Sequence, residues 1–336
     1  MKVFFDFPNL ISFIHSAGQP EYNDCMRMLL DNFELHVSFS QEEIEKMNGD
    51  DKDDFVFWIS SIDNLASEIK WNDQRFNDSF NPYDLGREYL MAVYCIQSGQ
   101  KEVDKGTLLI AKEGEELKTL SSLFVKGNQY MDNIFDRIGK WKDLLKYSSP
   151  CTDIVIADPF IMSDNSLFSS NIIPLCRELC SKANKQKVNI VIITLKDDSK
   201  SKDDWKTIRS KIKDGVGGKF RPNVTIVEAR RERKDGEQKI KEHDRTIFTN
   251  YKLFVSGDSY NYFDSNGNKI TRGRWLHVHS NADTDNMKSS LRFIDDMQEI
   301  ILETEKVNVD LIKSDEKCDK KSNFLRFQSS ETASNI

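Results

Sequence analysis

Apolar and polar positions change period several times along the first 147 residues. Val3–Phe7 is a short apolar run of strand length. Tyr22–Phe33 brings Met26, Leu29 and Leu30 together at helical spacing, and Glu34–Phe39 alternates with Leu35, Val37 and Phe39 on one side. Ser40 stands three residues before Glu43, a capping-box spacing that predicts a helix start. The acidic run Asp50, Asp51, Asp53 and Asp54 reads as a solvated loop, its spacing matching no calcium-binding grammar. Gly106–Ala111 and Leu117–Phe124 flank a short glycine-containing turn, which predicts a β-hairpin. Asp132–Tyr147 returns to helical periodicity. Residues 1–147 are therefore expected to form an α+β domain, of unknown role.

The texture changes after Ser148-Ser149-Pro150, a turn-rich boundary. Asp153–Ala157 and the almost wholly apolar Val188–Thr194 have the character of strands covered on both faces. Ile173–Ala183 reads as a helix with Pro174 in its first turn. Asp203–Ile212 reads as a basic amphipathic helix, Val224–Val227 and Thr246–Ser256 as strands, and Asp285–Glu303 as a long closing helix. Trp275–His279 alternates. Strands alternating with helices predict an α/β layered domain over 148–304. Lys306–Ile336 is polar and aperiodic, so 305–336 is expected to be a disordered tail.

Composition narrows the class. With 336 residues, 38% hydrophobic and 21 Phe, the chain has enough apolar material for substantial cores. No stretch approaches the roughly 18–20 apolar residues that span a bilayer. Met1–Pro8 starts like a signal peptide, but Asp6 and Pro8 break the apolar run, so none is expected. The six cysteines form no CxxC, and Cys176 and Cys180 read as a buried apolar pair rather than zinc ligands. Reduced thiols and a cytoplasmic location are the expectation. The formal charge is −7, which speaks against a general coat for nucleic acid. Yet Lys196–Arg245 holds 16 basic and 11 acidic side chains, including Arg230, Arg231 and Arg233. That segment reads either as a solvated face or as a surface that attracts phosphate-bearing partners.

The basic segment leads into a polar constellation: His243, Arg245, Asn250, Gly257, Ser259 and Asn261. On a strand, His243 and Arg245 point the same way. A histidine beside a guanidinium suits phosphate chemistry, one as nucleophile or acid and the other neutralising oxygens. Asn250 and Asn261 add neutral donors, and Gly257 lets the backbone approach closely or simply turns the chain.

This spacing resembles the phospholipase D-like superfamily, whose motif runs His-x-Lys, four residues, Asp, six residues, Gly-Ser, two residues, Asn. His243, Gly257 and Asn261 match; Arg245, Asn250 and Asp258 stand where the family has Lys, Asp and Ser. The resemblance implies a mixed sheet flanked by helices, with a histidine that forms a phosphohistidine and no cofactor or metal. Two motifs are needed and one is present, which implies a homodimer pairing two copies of His243. It is equally similar to the inactive domain of this superfamily found after microtubule-interacting modules, which binds membranes or partners. The expectation is a phosphodiesterase or nuclease acting through His243 with Arg245, Asn250 and Asn261. The alternative is an inactive module that binds an anionic membrane, nucleic acid or a protein partner.

Four further features carry weaker signals. His277 and His279 share a strand face, which fits a metal pair, the lining of the same cleft or plain surface placement. Arg272, Arg274 and Trp275 offer two cations and an aromatic, or a hairpin end. Lys213–Lys219 is glycine-rich but lacks Walker A spacing, and reads as a turn. Asp158-Pro159 reads as a turn signal as readily as a carboxylate facing the cleft.

Overall fold

A computed structural model describes residues 1–62, 69–72, 81–97, 108–161, 165–182, 188–195, 205–216, 222–229, 245–270, 275–314 and 321–327. The chain divides into two units, Met1–Met131 with Ser280–Met287, and Asp132–His279 with Lys288–Ile336. The division lies upstream of the expected boundary at 147, and the bonding of the intervening segment gives the reason. Ile134 N donates to Leu276 O, and Lys269 Nζ donates to the carbonyls of Phe135 and Ile138, so this segment is tied into the second unit.

The first unit contains β1 (Lys2–Asp6), α1 (Phe7–His15), α2 (Tyr22–Asn32), β2 (Glu34–Ser38), α3 (Gln41–Glu45), α4 (Gly49–Ile62), β3 (Ile69–Asn72), β4 (Val93–Cys95), β5 (Leu109–Ala111) and α5 (Glu116–Ser121). Its sheet runs β3-β2-β1-β4-β5, with every neighbouring pair parallel. This is a doubly wound α/β order rather than the expected α+β mixture. β1 is central and nearly wholly buried. It ends at Asp6, whose carboxylate caps α1 by accepting from Asn9 N at 3.2 Å. Pro8 falls in the first turn of that helix, where a missing N–H costs nothing.

Two expectations for this unit are corrected. The acidic run is the start of α4, not a loop; Asp50 and Asp51 lie in its first turn, where the helix dipole favours negative charge. The expected hairpin is instead β5, lying parallel beside β4, followed by helix α5. Leu117 and Leu120 are buried at the i, i+3 spacing of one helical face. The capping box at Ser40 and Glu43 is present as expected.

The remaining elements are β6 (Met131–Asn133), β7 (Asp153–Ala157), α6 (Asn165–Cys180), β8 (Asn189–Leu195), α7 (Trp205–Val216), β9 (Asn223–Ala229), β10 (Arg245–Thr249), β11 (Lys252–Ser256), β12 (Leu276–Ser280), α8 (Thr284–Val307) and β13 (Ile312–Lys313); they belong to the second unit except for Met131, Ser280 and the start of α8 up to Met287. The sheet order is β13-β9-β8-β7-β10-β11-β12-β6. β7, β8 and β9 are parallel; β10 runs antiparallel to β7, and β11 antiparallel to β10. The α/β layering expected for this region is therefore present, on a mixed sheet. β7 is buried at every position and β8 at all but its last, as their mainly apolar sequences require, with Asp153 and Asn189 as buried polar residues at their starts. α7 buries Ile208, Ile212 and Val216 at i, i+4, i+8, and Lys213 to Val216 belong to it rather than to a loop. Cys176 and Cys180 are buried, as expected of an apolar pair.

Other boundaries move. The stretch expected as one strand over Thr246–Ser256 is a hairpin that turns at Asn250-Tyr251. α6 starts at Asn165, which puts Pro174 inside the helix. Asp132–Tyr147 forms short 3-10 turns at Phe135–Arg137 and Trp141–Lys146 rather than an α-helix. The expected disordered tail contributes β13, paired antiparallel with β9. Ser322, Phe324 and Leu325 are also buried, and Ser322 Oγ and Asn323 N donate to Asp153 Oδ1 at 2.6 and 2.7 Å. Polar residues that would otherwise be solvated are thus recruited to satisfy a buried carboxylate. Among the described residues no helix is long and apolar enough to cross a membrane.

Candidate functional site

The register of the mixed sheet brings three chain segments to one edge. Thr246 pairs with Ala157, and Arg245 pairs with Ser256. Arg245, the first residue of β10, therefore stands between Asp158, which follows β7, and Gly257, which follows β11. Strand β12 adds Trp275 beside Gly257, whose N–H donates to Trp275 O at 3.2 Å.

Asp158 is the most thoroughly held group at this edge. It is fully buried. Its Oδ2 accepts from Ser259 Oγ at 2.7 Å and from Tyr260 N at 3.1 Å, and its Oδ1 accepts from Phe160 N at 2.9 Å. Burial pushes its pKa above the usual carboxylate range, while those three donors and the nearby Arg245 charge pull it back. The loop after β11 is pinned in the same way. Tyr260 Oη donates towards the carbonyls of Arg245 at 3.1 Å and Phe254 at 2.9 Å, and Ser256 Oγ hydrogen-bonds with Tyr262 Oη. Asp258 Oδ1 accepts from Ser259 N at 2.9 Å, so the residue standing at the resemblance's serine position serves its own loop.

Among the described residues, two buried polar atoms here lack partners. Arg245 is 8% exposed, and its Nε has no hydrogen-bond partner among the described residues. Its guanidinium carbon lies 5.5 Å from the centre of the Phe160 ring, a cation–π placement. Asn261 Oδ1 is buried and equally without a partner, although Asn261 Nδ2 reaches Ser259 Oγ at 3.4 Å. Buried polar groups are normally satisfied, so an open guanidinium nitrogen and an open amide oxygen set this end of the sheet apart from the rest of the core.

The structure gathers Arg245, Gly257, Ser259 and Asn261 from the sequence constellation. It separates Asn250, which lies at the opposite end of β10. Asn250 is fully buried, and its Oδ1 accepts from Thr152 N at 2.9 Å. Its amide ties the β10–β11 turn to the start of β7, so its expected role in holding phosphate is corrected to a structural one. His243, Arg230, Arg231, Arg233, Arg272 and Arg274 lie outside the described residues.

His277 and His279 share the partly exposed face of β12, as their spacing predicts, with ring centres 6.1 Å apart. Among the described residues no cluster of three or more His, Cys, Asp or Glu side chains is arranged to hold a metal ion. Asp158 is the residue to which spacing gave too little weight. Its signal is an acid directly after the apolar run Ile154–Ala157, but a following proline explains such an acid equally well in sequence.

The chain matches no protein-family model, and no curated protein matches it either.

Proposed function

We propose that the second unit takes a phosphodiester at the edge formed by Asp158, Arg245, Ser259 and Asn261, in the manner the phospholipase D-like resemblance implies. The supporting observation is Arg245: a nearly buried guanidinium with an open Nε, placed over the Phe160 ring and close enough to lower the Asp158 pKa. Guanidinium is the side chain best matched to phosphate oxygens. His243 stands two residues before it in sequence and is the nucleophile in this reading. The imidazole attacks phosphorus and displaces one alkoxide, which leaves protonated by a second His243. Water then cleaves the phosphohistidine. One motif per chain makes the active form a homodimer.

Binding without turnover is the second reading. It is favoured by Asn250, which is committed to Thr152, and by Asp258, which bonds its own loop. Both readings are tested by assaying a chromogenic phosphodiester, single- and double-stranded DNA, and RNA in excess EDTA. Turnover in wild type that is lost in His243→Ala with unchanged melting supports the hydrolase. Absent turnover with binding that depends on Arg245 supports the module. Neither turnover nor Arg245-dependent binding overturns both.

A further inference from the structure

We propose that the first unit binds a divalent cation of the magnesium type at the carboxyl edge of its parallel sheet, between Asp6 and Asn9 on one side and Glu116 on the other. This site is separate from the phosphate reading, which concerns the second unit.

The sheet order supplies the place. The chain steps outward from β1 through β2 to β3, then returns to pair β4 on the other side of β1. Doubly wound sheets take ligands at such a switch point, outside the carboxyl ends of the strands. Asp6 ends β1 there. Its Oδ1 accepts from Asn9 N at 3.2 Å and Asn9 Nδ2 at 2.6 Å, and its Oδ2 accepts from Gln97 N, just beyond β4, at 2.5 Å.

Asn9 is fully buried, and its Oδ1 has no hydrogen-bond partner among the described residues. Nδ2 of the same amide is turned onto Asp6, so Oδ1 faces away from that bond. Ser12 follows three positions later on the same face of α1. Its Oγ donates to Glu116 Oε2 at 3.1 Å, and Gly114 N donates to Glu116 Oε1 at 3.1 Å. Glu116 is fully buried as well. The open oxygen therefore belongs to a helix face held by Asp6 at one end and by Glu116 at the other. Cys95, the last residue of β4, feels both: burial first, then the Glu116 and Asp6 charges, push its thiol well above the ordinary range.

The donors in this cluster, Asn9 Nδ2, Ser12 Oγ and Gly114 N, are already turned onto the two carboxylates. What remains is acceptors. No basic side chain among the described residues forms an ion pair with Asp6 or Glu116. Burial raises the Glu116 pKa, its hydrogen bonds pull it back, and the Glu113 charge raises it further. A cation offsets the cost of burying such carboxylates, whereas an anion would add to it. Oxygen donors select magnesium, manganese or calcium over zinc, and a protonated Cys95 is no ligand. Two carboxylates are too few for an all-protein cage, but magnesium keeps several waters and needs only one or two carboxylates.

The test is a manganese titration of the EDTA-stripped full chain, read by the paramagnetic resonance signal of the free ion. Wild type is expected to hold one manganese per chain, displaced by magnesium. Asp6→Asn keeps a helix-capping oxygen and Glu116→Gln keeps the side-chain length. Each should weaken binding about ten- to a hundredfold with an unchanged circular dichroism spectrum. Asp53→Asn, in the acidic run of α4, should leave binding as it is. In wild type, manganese should also broaden the NMR amide signals of Asn9 and Gly114 ahead of those of α4, a readout that needs no variant. Absence of saturable binding, indifference to both Asp6→Asn and Glu116→Gln, or broadening that spares Asn9 and Gly114 overturns the site and leaves water as the partner of Asn9 Oδ1. Loss of binding in Asp53→Asn alone overturns it by placing the ion on α4.

Discussion

Gly257 and Trp275 occupy space that leaves no room for a side chain on the glycine. A Cβ there would lie 2.7 Å from indole Cε2 and Nε1 and 3.1 Å from Cδ1. Gly257→Ala is therefore expected to push the ring off the loop and to cost about 1–3 kcal/mol, the usual range for overpacking. Urea unfolding would show it as a lower midpoint with an unchanged slope.

Arg245 carries an unpartnered buried Nε, so its removal should cost recognition more than stability. Asp158 keeps its bonds from Ser259, Tyr260 and Phe160 when the guanidinium is gone. Arg245→Met is expected to weaken phosphodiester binding at least tenfold while the melting temperature changes little. Titration calorimetry beside a thermal melt separates the two effects.

Asn250 presents the opposite case. Replacing it by Ala leaves Thr152 N, buried at the start of β7, without its acceptor. The expected loss is about 1–3 kcal/mol of stability with no change in phosphodiester affinity. Chemical denaturation and a binding isotherm on the same preparation test this.

Lys252 is buried at the start of β11, and burial, with the Lys182 charge second, lowers its pKa to about 7 from the ordinary 10.5. The native state thus holds fewer protons here than the unfolded chain between these values. Its contribution to stability is complete above about pH 10.5 and is lost as pH falls through about 7. Unfolding free energy should rise with pH across that window, and Lys252→Met should flatten the slope.

Ser322 closes a network around Asp153. Its Oγ donates to Asp153 Oδ1 at 2.6 Å and accepts from Phe324 N and Leu325 N, both at 3.1 Å. Ser322→Ala is expected to cost about 1–3 kcal/mol and to expose residues 321–327 to proteolysis. Limited digestion followed by mass spectrometry would locate the first cuts.

By itself, the sequence determined the elements whose side chains decide the matter locally. The apolar runs of β7 and β8, the alternation of β12, the period of α7 and the capping box at Ser40 each satisfy their backbone or bury their face within a few residues. It also brought Arg245, Gly257, Ser259 and Asn261 together through motif spacing. Only the tertiary structure decided the rest, because the deciding partners are remote in the chain. A parallel neighbour gave β5 and a helix where a hairpin of Gly106–Ala111 and Leu117–Phe124 was expected. The hairpin turn at Asn250 carried that residue to the far end of β10, where Thr152, 98 positions away, takes its amide. Asp158 became central through Ser259, 101 positions on, and Ser322 entered the core through Asp153, 169 positions back. Periodicity records which face a residue turns inward. It holds no record of which distant donor a buried carboxylate or amide must find, and those pairings set the register that shapes the site.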